Sequence, residues 1–121
     1  MARVELSRQQ VSDVGLSPAY SPAVEDGHMI KNPLATEIGA EKGKLVLHIC
    51  NINEEPVTVT IRSGYTIGDL KLQDRQVVVP PVSCVFVGPL DPTVYNQPGT
   101  SHVYIDYSQT EGVDIAALLI P

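Results

Sequence analysis

The sequence predicts an all-β protein, a single antiparallel β-sandwich of jelly-roll-like type with a loop-rich N-terminal arm. Three observations carry that expectation. Several segments alternate apolar and polar residues at a spacing of two, the period of a half-buried strand. Six or more such segments recur about every 8–14 residues with turn residues between them, and no strand–helix–strand pattern interrupts the series. At 121 residues the chain is the size of one domain, and a domain of this size buries roughly two-thirds of its unfolded surface.

Residues 1–43 differ from the rest and are read as the arm. "VSDVGLSPAYSPAVEDG" mixes Ser, Pro, Gly and Asp with isolated apolar residues, and no period persists through it. One short strand fits "RVELSRQQV", with Val4 and Leu6 facing inward. Two readings follow: an arm lying over its own domain, or one reaching a neighbouring subunit.

Residues 44–121 are read as the sandwich. "KLVLHICNI" is almost continuously apolar, as in a strand covered on both sides, and "VTVTIR" alternates. The short polar turn "NEEP" between them predicts an antiparallel hairpin. "SGYTIGDLKLQD" reads as a long loop with a brief extended piece at Leu70–Leu72. In "RQVVVPPVSCVFVG" the Pro80–Pro81 pair cannot donate to a ladder, so two strands are expected rather than one. "VFVGPLDPTVYNQPG" is a stiff corner: Asp91 suits a helix N-cap, Pro92 the first helical position, and Pro98–Gly99 stops the turn. The corner lets the chain leave one sheet after Val87 and enter the other at His102. "SHVYIDYS" alternates, placing Tyr107 inward, and "VDIAALLI" is read as a strand despite its helix-forming Ala and Leu.

Charge and chemistry exclude several functions. The formal net charge of −6 and the lack of clustered Lys and Arg argue against a nucleic-acid partner. No apolar run approaches the ~20 residues of a membrane span, and "MARVELSRQQ" has no apolar core of a signal peptide, so a soluble compartment is expected. Cys50 and Cys84 each lie in an apolar run, where a free thiol acts as a small core residue. A disulfide between neighbouring strands is the alternative, disfavoured by the absence of a secretion signal. His28, His48 and His102 have no second histidine at zinc-ligand spacing, and His48 is expected to pack on a sheet face. The aspartates form no calcium loop, no G-x-S-x-G elbow is present, and "SGYTIGD" lacks the Lys of a phosphate loop. No catalytic residue, cofactor or metal ion is expected. Tyrosine suits interfaces because it joins a large apolar body to one polar tip. The candidate partner contacts are Val4, Leu6, Pro18, Tyr20 and Pro22 in the arm, with Tyr95 and Tyr104 near the corner.

The order of the pieces "VTVTI", "DLKLQDRQVVVPP", "VFVGPLDPTVYNQPG", "VYIDYS" and "VDIAALLIP" resembles a group of small tailed-phage virion proteins. Over roughly residues 45–121 it follows their succession: a Val-Thr-Val-Thr strand, a D-x-x-V-x-V-P strand, a G-P-[FL]-x-P-x-x-[YF]-N corner, a V-x-[VI]-x-Y-S strand and a short apolar ending. Gly88, Pro89, Pro92, Tyr95, Asn96, Tyr107 and Ser108 carry the most specific part. The resemblance implies a head decoration (auxiliary capsid) protein, binding the major capsid protein lattice on the outer surface of the virion head, often as a homo-oligomeric trimer, and doing no chemistry. A low-copy head–tail connector or tail component is the alternative.

Overall fold

Alternation decides which face of each strand turns inward, and a computed structural model shows two sheets closing around the faces so defined. It describes residues 3–12, 14–32, 44–64, 66, 67, 70, 71, 73–97 and 101–120. In chain order the strands are β1 (Val4–Glu5), β2 (Arg8–Gln10), β3 (Ser21–Pro22), β4 (His28–Lys31), β5 (Lys44–Asn51), β6 (Val57–Ile61), β7 (Thr66–Ile67), β8 (Leu70–Lys71), β9 (Arg75–Val79), β10 (Ser83–Val87), β11 (His102–Tyr107) and β12 (Val113–Ile120), with one helical turn, α1 (Pro92–Tyr95), before β11. The first sheet runs β1-β4-β11-β6-β9 and the second β10-β5-β12-β2, with β3 also paired to β12; β7 and β8 form a separate ribbon.

The interior is aliphatic. Ile30, Leu45, Leu47, Ile49, Val57, Val59, Ile61, Val79, Val103, Ile105 and Ile115 are fully buried, and each side chain of this kind stabilises the fold by about 1.5–3 kcal/mol relative to exposure. Those on β5, β6 and β11 occupy alternate positions, as the period requires. On β12, Ala116 and Leu118 have outward parity yet are also buried. The outer face of the second sheet is therefore covered beside them.

Four expectations change. β5 and β6 do not form a hairpin: β5 pairs with β10 and β12, and β6 with β11 and β9. The turn at 52–56 instead arches from one sheet to the other, so both strands bury their apolar faces in the same interior. The N-terminal segment supplies four short strands rather than one, shared between both sheets. Its pairings β1–β4 and β2–β12 are parallel, which makes both sheets mixed rather than purely antiparallel. Within β1, Val4 is 46 % exposed while Leu6, just beyond it, joins the core. The break at Pro80–Pro81, the strand assignment of β12 and the sheet-to-sheet corner are all found. The expected extended piece at Leu70–Leu72 is β8, with Leu72 outside the described residues.

Backbone groups at the crossings are met largely by asparagines, of which Asn32 and Asn51 are buried. Asn51 Nδ2 donates to the carbonyls of Glu55 (2.9 Å), Val79 (3.3 Å) and Pro80 (3.3 Å), and its Oδ1 accepts from Asn53 N (2.9 Å) and Nδ2 (2.8 Å). Asn53 Nδ2 also donates to Glu111 O at 2.8 Å, so one cluster ties three crossings together. At the corner, Asn32 Nδ2 donates to Leu90 O (3.2 Å) and Asn96 Nδ2 to Asn32 O (2.6 Å).

The corner itself is specified locally. Gly88 has φ 134°, and a Cβ there would lie 2.9 Å from Leu45 O, so a side chain is excluded by both conformation and space. Leu90 N donates to that same carbonyl at 2.9 Å. Val94 N and Tyr95 N both donate to Asp91 O, which closes α1. Further on, Tyr107 OH and His28 Nδ1 are hydrogen-bonded at 2.6 Å inside the sandwich, and Ser108 exchanges two 2.9 Å hydrogen bonds with the Thr58 backbone.

Two outcomes are expected. Asn51→Ala removes the donor to the buried Val79 carbonyl and to two part-buried ones and should cost about 1–3 kcal/mol, read as a lower urea midpoint of the oxidised protein. Burial holds the His28 imidazole pKa below its ordinary 6.5. The unfolded chain therefore takes up that proton first, and the stability due to neutral His28 is present above pH 6.5 and lost as pH falls toward the lower folded value. Urea midpoints measured from pH 7.5 down to 5 should fall, and His28→Gln should remove part of that slope.

Candidate interaction surface

β10 is the edge strand of the second sheet, and its alternation leaves Cys84 and Phe86 pointing outward, in phase with Val82 in the preceding turn. On the neighbouring β5 the outward positions are Val46, His48 and Cys50, continued by Ile52. The register places Cys84 opposite Cys50 and Phe86 opposite His48, and its continuation sets Val82 beside Ile52. Val82 N donates to Asn53 O at 3.1 Å and Ile52 N to Gly112 O at 3.0 Å, so both ends of this added pair are held. Ile52, Val82 and Phe86 are 73 %, 72 % and 70 % exposed. From Val82 to Phe86 the stripe runs roughly 13 Å at the rise of a strand. Clustered exposed apolar side chains of this kind mark binding surfaces.

The strands that carry the stripe, and its one ring, are held in place. Phe86 stacks on His48 with ring centroids 4.3 Å apart and planes 25° apart. Tyr20 closes on the same imidazole, its hydroxyl 2.6 Å from Nδ1. Cys50 and Cys84 form a disulfide across the two strands. The expected free thiols are therefore corrected: the register brings the two residues to a Cα separation of 4.0 Å, a close non-hydrogen-bonded pair, although 34 positions separate them in sequence. Their side chains lie on the outer face, not in the core.

The sequence candidates divide between faces. Tyr20 meets the stripe through His48, and the exposed Pro22 lies in β3 opposite Asp114 of β12. Pro18 is exposed beside Ala19, whose backbone N and O bond the Gln9 side chain at 2.8 and 2.7 Å. Leu6 is only 7 % exposed within the core, so it is unavailable to a partner. Val4 lies on the first sheet. Tyr95 packs against the core and borders an open cleft of about 910 Å³ with Arg62, Asp74 and Arg75. Tyr104 lies beneath the Arg3 guanidinium, 4.4 Å from its ring centre. Sequence reasoning missed Ile52, Val82 and Phe86 as a group. Phe86 and Val82 share parity across "VSCVF", but only the register adds Ile52.

The outer face of the first sheet is of another kind. Arg3 contacts both carboxylate oxygens of Asp106 (2.6 and 3.1 Å), and Arg62 joins Asp106 (2.5 Å) to Asp74 (3.0 Å). Burial alone would raise the Asp106 pKa, but the hydrogen bonds from Arg3 and Arg62 outweigh it and hold the carboxyl below its usual range. Asp74 Oδ1 also accepts from Ser63 N at 2.7 Å. Both carboxylates are thus committed as hydrogen-bond acceptors, an arrangement suited to fixing strands rather than to moving protons.

Comparison with protein-family models, characterised proteins and solved structures yields no match. The disulfide closes a loop of sequence separation 34, for which chain entropy gives a stabilisation of about 3–4 kcal/mol. Cys84→Ser should lower the guanidinium midpoint accordingly, and reduction of the wild-type protein should bring it to nearly the same value.

Proposed function

We propose that this protein is a structural component of a tailed-phage virion, a decoration protein that binds the outer surface of the capsid shell and stabilises it. The observation that carries this reading is the exposed apolar stripe of Ile52, Val82 and Phe86 on a molecule of net negative charge. The resemblance of residues 45–121 to phage virion proteins supports the same reading. The partner is the major capsid protein lattice, and the protein binds it as a homo-oligomer, a trimer, on the virion head.

Stabilisation follows from mass action. A protein that binds only the assembled lattice favours it by RT ln(1 + [L]/Kd) at every site. An oligomer that bridges several coat subunits makes its later contacts intramolecularly and gains effective concentration. A surface on two cross-linked strands suits this role, because little backbone freedom is lost on docking. Tyr20 and Pro22 extend the stripe from the N-terminal segment. That segment cannot be a detachable tether, since β1–β4 are built into both sheets.

The deciding measurement is the copy number in purified virions relative to the major coat protein, by quantitative mass spectrometry. A ratio of the same order as the coat protein is expected; a handful of copies would assign the protein to the head–tail connector or tail instead. In a capsid-binding assay, Phe86→Asp and Val82→Asp should each weaken binding tenfold or more, the effect of losing a central apolar contact. Unchanged binding by the folded double variant would remove the stripe from the interface.

A further inference from the structure

The stripe also contains a cluster with a different chemistry. His48, Cys50 and Cys84 each offer one ligand atom, and these three atoms lie within 4.8 Å of one another. Strand geometry makes the cluster: His48 and Cys50 are two residues apart on β5 and so share a face, while Cys84 is opposite Cys50 on β10. None of the three is fully buried, and Cys84 is exposed.

We propose that reduction of the Cys50–Cys84 disulfide converts this cluster into a metal site, in which the two cysteine sulfurs and the His48 imidazole bind one Zn(II) ion per chain. Two thiolates and a neutral imidazole are the donor types zinc favours, and they match its charge. Zn–S bonds of about 2.3 Å and Zn–N bonds of about 2.0–2.1 Å imply ligand–ligand separations of roughly 3.5–3.8 Å at a tetrahedral centre. Side-chain rotation brings the three atoms to that spacing once the S–S bond is broken. Water takes the fourth position.

The surroundings suit a ligand histidine. The Tyr20 hydroxyl bonds the ring at Nδ1 and Phe86 stacks against it, so its orientation is set by neighbours, as second partners set it in metal sites. Asp114 lies opposite Cys50 on β12, exposed on the same face, and adds negative charge beside the cation.

The chemistry balances with a dithiol as reductant. The dithiol gives two electrons and two protons and closes to its own disulfide; the Cys50–Cys84 bond breaks and two thiols form. Zinc then displaces both thiol protons to solvent. The edge strand β10 is thereby cross-linked to β5 in either state, by a disulfide under oxidising conditions and by an ion under reducing ones. This inference is independent of the virion role.

The test uses the full chain, reduced with a dithiol and freed of it by anaerobic gel filtration, then titrated with Co(II) as a coloured stand-in for zinc. The expected result is thiolate-to-cobalt charge-transfer and tetrahedral bands that saturate at one ion per chain and vanish on adding Zn(II). The oxidised protein should show none. Cys84→Ser should abolish the bands, and His48→Ala should weaken binding tenfold or more. Circular dichroism on the same samples reports the fold, and Zn(II) should raise the melting temperature of the reduced wild type but not of Cys84→Ser. Absence of thiolate bands in reduced protein, equal affinity in His48→Ala, one ion shared by two chains, or a loss of fold on reduction that Zn(II) does not reverse would each overturn the proposal.

Discussion

From β4 onward the chain changes sheet at nearly every connection, and each crossing leaves carbonyl and amide groups with no strand partner. That constraint governs the architecture, because an unmet buried backbone group costs about as much as several methylenes stabilise. The molecule answers it with amide side chains, which can donate and accept at once. Asn51 and Asn53 serve the crossings after β5, β9 and β11 at one rim, while Asn32 and Asn96 serve the corner. The aliphatic interior supplies the bulk of the stabilisation. The asparagines decide that the arches close where they do.

The two outer faces are finished differently. On the first sheet, opposite charges satisfy each other within the chain: Arg3, Asp106, Arg62 and Asp74 form one continuous set. Such a set holds the N-terminal end of β1 and the loop after β6 against the sheet. The second sheet presents apolar side chains that nothing among the described residues covers at its β10 edge, locked by a disulfide and a ring stack. A surface whose strands are already cross-linked gains more of its contact energy as affinity.

Much of this was legible in the sequence, and the misses have physical causes. Alternation in "VTVTI" and "HVYIDY" placed every inward residue of β6 and β11 correctly, because each has one wet and one dry face. Pro80–Pro81 and the Gly88–Asn96 corner were readable because Pro and Gly act through local sterics. The β5–β6 hairpin failed since a short polar turn serves an arch between sheets as well as a hairpin within one. Only the partners of β5, residues 83–87 and 113–120, distinguish the two. β1–β4 are two to four residues long, too short for any period to emerge. The disulfide and the Ile52–Val82–Phe86 stripe depend on the register of β10 against β5, a long-range quantity that neither strand encodes alone.

The pairing of β2 with β12 joins Arg8 to Ala117 and Gln10 to Leu119, and Arg3 meets Asp106 across 103 positions. β2 therefore finds its strand partner only when β12 exists. During synthesis β2 precedes that partner by more than a hundred residues and waits for them to follow. Contacts this distant carry the full entropy of closing the intervening loop before they return anything. β2 and β3 thus act as a clasp that closes on β12, and a chain stalled short of β12 leaves them without the strand they pair with.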